Sequence, residues 1–212
     1  MHKIFVLLAG SCLLLLGSVA ADPAELKETV AALKQGGYVI VFRHGATDNS
    51  QQDVAPLDFA DMSKQRQLSD KGRQVAREIG DAIKALGIPV GDIYTSRLNR
   101  AIETGKLMSG KDATPVKELT DSGAGSAAAM GRPGGGGNAE LGRALRQLAN
   151  TAPKAGTNTV LITHKTNIGD AFGKDWDNVQ ESEASVFKPG AAGEPVLVAR
   201  VKAAEWTSLP HQ

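Results

Sequence analysis

The stretch YVIVFRHG, at residues 38–45, decides the fold of this chain. It starts with five consecutive apolar residues, and a short continuous apolar run is typical of a strand buried on both faces of a parallel sheet. The run stops at Arg43, His44 and Gly45. The stretch therefore predicts a buried strand over residues 38–42 that carries polar side chains to its carboxyl end.

A second stretch, TVLITH at residues 159–164, repeats this pattern. Its apolar run predicts another buried strand, and it also ends at a histidine, His164. In open α/β sheets, ligands bind beyond the carboxyl ends of the strands. We therefore expect His44 and His164 to lie close together at one edge of the sheet, although they are far apart in the sequence.

Strand and helix patterns alternate along the rest of the chain. Apolar spacing and capping residues predict helices over residues 23–35, 69–86, 98–108 and 139–149, and strands over residues 93–95, 116–119, 184–187 and 196–201. Residues 46–67 read as a polar loop and residues 121–138 as a Gly- and Ala-rich loop. This order predicts an α/β fold, a three-layer α/β/α sandwich with a largely parallel central sheet, forming a single domain over residues 22–212.

Residues 1–21 have the pattern of a secretory signal peptide. Lys3 forms a short basic region, residues 4–17 are apolar, and small residues up to Ala21 fit a cleavage site. The apolar stretch is shorter than the roughly 20 residues that a transmembrane helix needs, which favours a cleaved signal peptide. An uncleaved membrane anchor is the alternative. The pattern predicts a protein that is exported, periplasmic in a Gram-negative source or otherwise secreted, with no stable membrane anchor after cleavage.

Charge and residue counts exclude several kinds of site. The chain has 24 basic and 23 acidic residues, and because Lys3 lies in the leader, the remainder is formally neutral. Such a chain has no electrostatic footprint for nucleic acid or an anionic membrane. The single cysteine, Cys12, is in the leader, and two of the four histidines are His2 and His211, near the ends. The sequence thus predicts no disulfide, no zinc or other metal site, and no cofactor.

Two arginines accompany the paired histidines. Arg43 stands beside His44, and Arg100 lies near the start of the helix that follows the strand at residues 93–95, at the same edge of the sheet. The planar fork of arginine suits phosphate oxygens. A neutral imidazole is a competent nucleophile. In a neutral chain this convergence predicts a local pocket for a dianion, with a phosphoryl group as the fitting ligand.

Four motifs resemble those of the histidine phosphatase superfamily, in its phosphoglycerate-mutase-like branch. They stand in the family order between residues 37 and 173, and they are FRHGAT at 42–47, QLSDKG at 67–72, YTSRLNRAIET at 94–104 and VLITH at 160–164. The resemblance implies a phosphoglycerate-mutase-like fold and hydrolysis of phosphoric monoesters. It makes the chain similar to small exported bacterial members.

The resemblance also implies roles for individual residues. His44 would be the nucleophile that forms a phosphohistidine, with its other ring nitrogen donating to a backbone carbonyl. Arg43, Arg100 and His164 would bind the phosphoryl oxygens. Arg97 would be an exposed neighbour of this site.

A carboxylate at Asp121 would be the general acid, protonating the leaving group and then activating water. A turn or cap position is the other interpretation of Asp121, and Glu118 and Glu140 are the reserve candidates. Thr47 would add a hydroxyl to the phosphate site. Ser50 occupies the position where mutase-like relatives often carry asparagine, a departure in the loop that contacts substrate.

These observations favour an exported, metal-independent phosphomonoester phosphatase that works through phosphohistidine on His44. Its partner would be a small phosphorylated substrate or an envelope phosphate group, such as a sugar phosphate of the lipopolysaccharide core. Alternatives are a non-catalytic binding module for a phosphorylated envelope ligand and a structural envelope protein. The sequence carries no signal for the oligomeric state.

Overall fold

A computed structural model describes residues 23–121 and 138–209 of the chain. The helices are α1 (Pro23–Lys34), α2 (Asp70–Ala85), α3 (Asn99–Ser109), α4 (Ala139–Ala149), α5 (Lys165–Phe172) and α6 (Ala203–Ser208). The strands are β1 (Val39–Arg43), β2 (Val90–Thr95), β3 (Thr114–Pro115), β4 (Asn158–Thr163), β5 (Ala184–Lys188) and β6 (Val196–Val201). The predicted signal peptide and nearly all of the Gly- and Ala-rich loop at 121–138 lie outside the described residues.

The strands form one six-stranded sheet in the order β3-β2-β4-β1-β5-β6. The first four strands in this order are parallel, and β5 and β6 continue the sheet as antiparallel strands. The register aligns Arg43 with Thr163 across β1 and β4. The next residue of each strand is a histidine, so the register brings both histidines to the same level of the sheet.

Helices cover both faces of the sheet, as the sequence predicts. Along β1, Ile40 and Phe42 pack into a core with α1, α2 and α3, whereas Val39 and Val41 pack into a second core with α4 and α5. This alternation follows from the period of two in a strand. Because both faces are apolar, the strand reads as a continuous apolar run. The three-layer α/β/α architecture is confirmed. Within residues 23–121 and 138–209 we find no helix long and apolar enough to cross a bilayer.

The predicted strand at residues 116–119 is wrong. The strand in this region is the two-residue β3, and residues 117–119 form a 3-10 turn. The turn forms because Leu119 is drawn fully into the core and its carbonyl accepts a hydrogen bond from Thr163 Oγ1 at 2.8 Å. The sequence pattern predicts neither of the two short helices α5 and α6, and α5 begins directly after His164.

Candidate active site

The structure brings His44 and His164 together at the carboxyl edge of the sheet. Their ring centroids are 5.0 Å apart, and the rings meet edge to face at 62°. They are 4% and 2% exposed, respectively. The neighbours expected from the two strand ends are therefore neighbours in space.

One ring nitrogen of His44 is held by the backbone. Nδ1 lies 2.8 Å from the carbonyl oxygen of Gly45, and because a carbonyl only accepts, Nδ1 carries the proton. Burial, followed by the charge of Arg100, lowers the pKa of His44 from 6.5 to about 3. The ring is therefore neutral at ordinary pH, and its lone pair is on Nε2.

His164 presents the opposite nitrogen. Its Nε2 lies 2.7 Å from Ser96 Oγ, which already accepts a hydrogen bond from Leu98 N at 3.1 Å. The serine hydroxyl is thus free to donate to Nε2, which favours a ring proton on Nδ1. That Nδ1 is buried and has no hydrogen-bond partner among the described residues. Burial, followed by the charge of His44, lowers the pKa of His164 well below its usual value.

Arg43 and Arg100 are each held by a carboxylate on a loop. Arg43 donates through Nη1 to the Val179 carbonyl at 2.9 Å and through Nη2 to Glu181 at 3.2 Å. Arg100, only 1% exposed, donates through Nη1 to Asp53 Oδ1 at 2.9 Å. Burial lowers the pKa of both guanidiniums, but arginine stays charged.

The Nε atoms of these two arginines are buried and have no partner among the described residues. Together with Nδ1 of His164 they make three buried donors without an acceptor. Buried donors are normally satisfied, so such a group at one edge of a sheet indicates a site for an anion with several oxygens. The carboxylate partners fix the orientation of the guanidiniums while leaving these donors open.

Residues within α3 and directly before α2 support the loop that carries His44. Thr104 Oγ1 accepts from Gly45 N at 3.1 Å and donates to the Arg100 carbonyl at 2.7 Å. At the start of α2, Ser69 Oγ accepts from Gly72 N at 3.1 Å and donates to the Ala46 carbonyl at 3.2 Å. The middle of α3 and the start of α2 are thus tied to the segment directly after His44.

Sequence reasoning missed Asp53 and Arg66. The backbone N–H of Arg66 donates to Asp53 Oδ1 at 2.9 Å, so the two meet beside Arg100. The charge of Arg66 contributes to the lowered pKa values of His44, His164 and Arg100. Both residues come from the polar loop before α2, which has no helical or strand spacing, so no sequence pattern points to them.

The three candidates for the general acid lie in different surroundings. Asp121 Oδ1 accepts from Thr166 Oγ1 at 2.9 Å, and its charge acts on Arg100, so this carboxylate lies at the same edge as the histidines. Glu118 is half-buried in the 3-10 turn, and Glu140 is exposed in the first turn of α4. Neither glutamate forms a hydrogen bond or an ion pair with another described residue.

The remaining predicted residues lie around this edge. Thr47 is 7% exposed and forms an isolated bridge with Leu68, while the side chain of Arg97 is exposed. Ser50 lies in an exposed turn, donating to Asp48 Oδ1 at 2.7 Å. Within the part of the chain that the structure describes, no three His, Cys, Asp or Glu side chains cluster as metal ligands would.

This arrangement places a neutral imidazole and several open cationic and imidazole donors at one edge of an α/β sheet, a combination that suits a phosphoryl group. Comparison with known proteins agrees with it. Residues 39–130 match the family model of the histidine phosphatase superfamily (branch 1), so this part of the chain is similar to members of that superfamily. This match supports a phosphoric monoester hydrolase. No curated protein matches the chain.

Several solved structures share the fold. The protein histidine phosphatase SixA complexed with tungstate superposes with a TM-score of 0.54 at 17% identity, covering 79% of this chain and 97% of that chain. A phosphoserine phosphatase mutant from Entamoeba histolytica in complex with phosphoserine gives 0.53 at 15% identity, covering 79% and 98%. The mycobacterial glucosyl-3-phosphoglycerate phosphatase with VO3 gives 0.52 at 16% identity, covering 76% and 97%. At these identities the likeness shows the fold alone.

Proposed function

We propose that the chain is an exported, metal-independent phosphomonoester phosphatase that works through a phosphohistidine on Nε2 of His44. The observation that carries the proposal is the protonation state and tautomer of the His44 ring. Its ring is buried and neutral, and the hydrogen bond from Nδ1 to the Gly45 carbonyl leaves the lone pair on Nε2. An imidazole in this state needs neither a metal nor a base to become nucleophilic.

In the first step, the lone pair of His44 Nε2 attacks phosphorus, and the bond from phosphorus to the ester oxygen breaks. Charge spreads over the three equatorial oxygens in such a transition state. The open donors of Arg43, Arg100 and His164 would bind these oxygens. Because the donors are already oriented by their partners, they need no rearrangement as the charge develops. Thr47 would add a hydroxyl.

Asp121 would supply the proton to the departing oxygen. The leaving alkoxide becomes an alcohol, and the ionised carboxylate then takes a proton from water. The hydroxyl attacks the phosphohistidine, the phosphorus–nitrogen bond breaks, and inorganic phosphate leaves. His44 returns to its neutral form and Asp121 to its protonated form. The position of Asp121 at the edge shared with Arg100 supports this role.

The pattern of residues 1–21, which is that of a secretory signal peptide, supports export. An exported phosphatase meets substrates outside the cytoplasm. A small phosphorylated substrate or an envelope phosphate group is therefore the partner that we propose, with a lipopolysaccharide core sugar phosphate as one example.

The test uses the chain without residues 1–21 and para-nitrophenyl phosphate from pH 4 to 8, with a chelator present. We expect turnover that resists the chelator and is lost in His44→Asn, a variant that keeps a donor for the Gly45 carbonyl. Turnover that persists in the variant would contradict the mechanism. Loss of turnover with chelator would contradict metal independence. An inactive wild type that phosphate still stabilises against heat would identify a binding module instead.

A further inference from the structure

The lining of a cavity of about 470 Å³ includes residues that directly follow residues of the phosphate site in the chain. Residues 54–60, Lys64 and Arg97 line this cavity. Val54 directly follows Asp53, which is bonded to Arg100. Arg97 directly follows Ser96, which is bonded to His164. A group attached to a phosphoryl bound by these residues would therefore extend toward the cavity, whose volume is that of a pocket for a small organic ligand.

The cavity walls are held in place before any ligand binds. Val54 N donates to the Lys64 carbonyl at 2.9 Å, which closes the base of the loop. Gln65, only 2% exposed, donates to the Asp58 carbonyl at 3.0 Å and accepts from Asn99 N at 2.9 Å. The loop is thus fixed to the start of α3, the helix that carries Arg100.

The chemistry of the walls is mixed. Residues 54–60 supply an apolar face that includes Leu57 and Phe59, with Val54 at 49% exposure on its rim. The guanidinium of Arg97 lies 4.1 Å from the centroid of the Phe59 ring. A guanidinium stacked on an aromatic face keeps its in-plane N–H groups free for an anion.

The other charges of the cavity have local partners. Lys64 is paired with Asp61 at 3.2 Å, and Asp58 Oδ1 accepts from Ala60 N at 2.9 Å. Within residues 23–121 and 138–209, Arg97 has no ion pair. Its guanidinium is therefore the group in the wall that most readily binds a negative charge on a ligand.

We propose that this cavity is the subsite for the leaving group, and that it selects phosphomonoesters whose leaving group combines an apolar face with a second acidic group. This inference rests on the proposed phosphatase function and adds a substrate class to that function. The phosphoryl binds at the histidines, the apolar face of the leaving group packs on Leu57 and Phe59, and its acidic group binds Arg97.

The test measures binding rather than turnover, so that it is independent of catalysis. Benzylphosphonate and 4-carboxybenzylphosphonate differ by one carboxylate. The biphenyl analogues of these two compounds form a second pair, which repeats the comparison with a longer spacer. Calorimetry of the four compounds is run on the wild type, Arg97→Met, Arg97→Lys and Arg77→Met. Arg77 is an exposed arginine of α2, which makes its variant a matched charge control.

We expect the carboxylate to tighten binding about fivefold at one of the two spacer lengths, equal to about 1 kcal/mol. This preference should vanish in Arg97→Met, survive in part in Arg97→Lys and remain whole in Arg77→Met. A carboxylate effect absent at both lengths, or unchanged in Arg97→Met, would overturn the subsite. Failure of all four phosphonates to bind the wild type would overturn the phosphate site as well.

Discussion

Replacing His44 by asparagine should reduce the loss of stability that the protein shows in mild acid. The pKa of His44 falls from 6.5 to about 3 on folding, because burial and the charge of Arg100 disfavour its protonated form. Between these two values the unfolded chain takes up a proton that the folded chain does not. The free energy of unfolding therefore falls as the pH falls through this window. At pH 5 the contribution of His44 is about 2 kcal/mol below its value at pH 7.

Urea unfolding at pH 7, 6 and 5 measures this difference, with the buried Trp176 and Trp206 as fluorescence probes. The free energy of unfolding of His44→Asn should drop by about 2 kcal/mol less than that of the wild type between pH 7 and pH 5. His164→Asn should shift in the same direction, because the pKa of His164 is also lowered. Carboxylates contribute equally to the wild type and the variants. Equal losses in the wild type and His44→Asn would refute the neutral, buried state of this imidazole.

Three further changes test other parts of the site. Asp121→Asn should lower kcat/KM for an alkyl phosphate far more than for para-nitrophenyl phosphate, since nitrophenolate departs without a proton and kcat/KM reports the first step; an equal loss of kcat/KM would remove Asp121 as the acid. Gly72→Ala would place a Cβ 2.1 Å from the Ala46 carbonyl oxygen, so the free energy of unfolding in urea should fall by about 3 kcal/mol. Arg100→Met should weaken inhibition by inorganic phosphate at least tenfold, or about 1.5 kcal/mol, whereas Arg77→Met should leave the inhibition constant unchanged.

The sequence is informative where burial and local pattern agree. The apolar runs before His44 and His164 correspond to β1 and β4, whose side chains are buried on both faces. Ser69 and its apolar spacing identify α2, with the Ser69 side chain accepting from Gly72 N. Because both strands are parallel neighbours in a sheet, the meeting of the two histidines also follows from the pattern.

Other parts depend on contacts that no local pattern records. Val116 and Leu119 suit a strand, yet Leu119 enters the core through a 3-10 turn and its carbonyl binds Thr163. The strand that does form contains Pro115, which lacks an N–H donor and so reads poorly as a strand, although an edge position tolerates it. Asp53 reaches Arg100 across a polar loop, a contact that only the folded chain creates.

Trapping of the phosphoenzyme tests the central claim most directly. The wild type is mixed with a phosphomonoester in excess, quenched within milliseconds, digested, and its peptides are examined by mass spectrometry. We expect one phosphoryl group on the peptide that contains His44, lost in acid and retained in alkali, and no such species in His44→Asn. Turnover of the substrate with no phosphorylated His44 peptide, or with the phosphoryl group on another residue, would contradict the account.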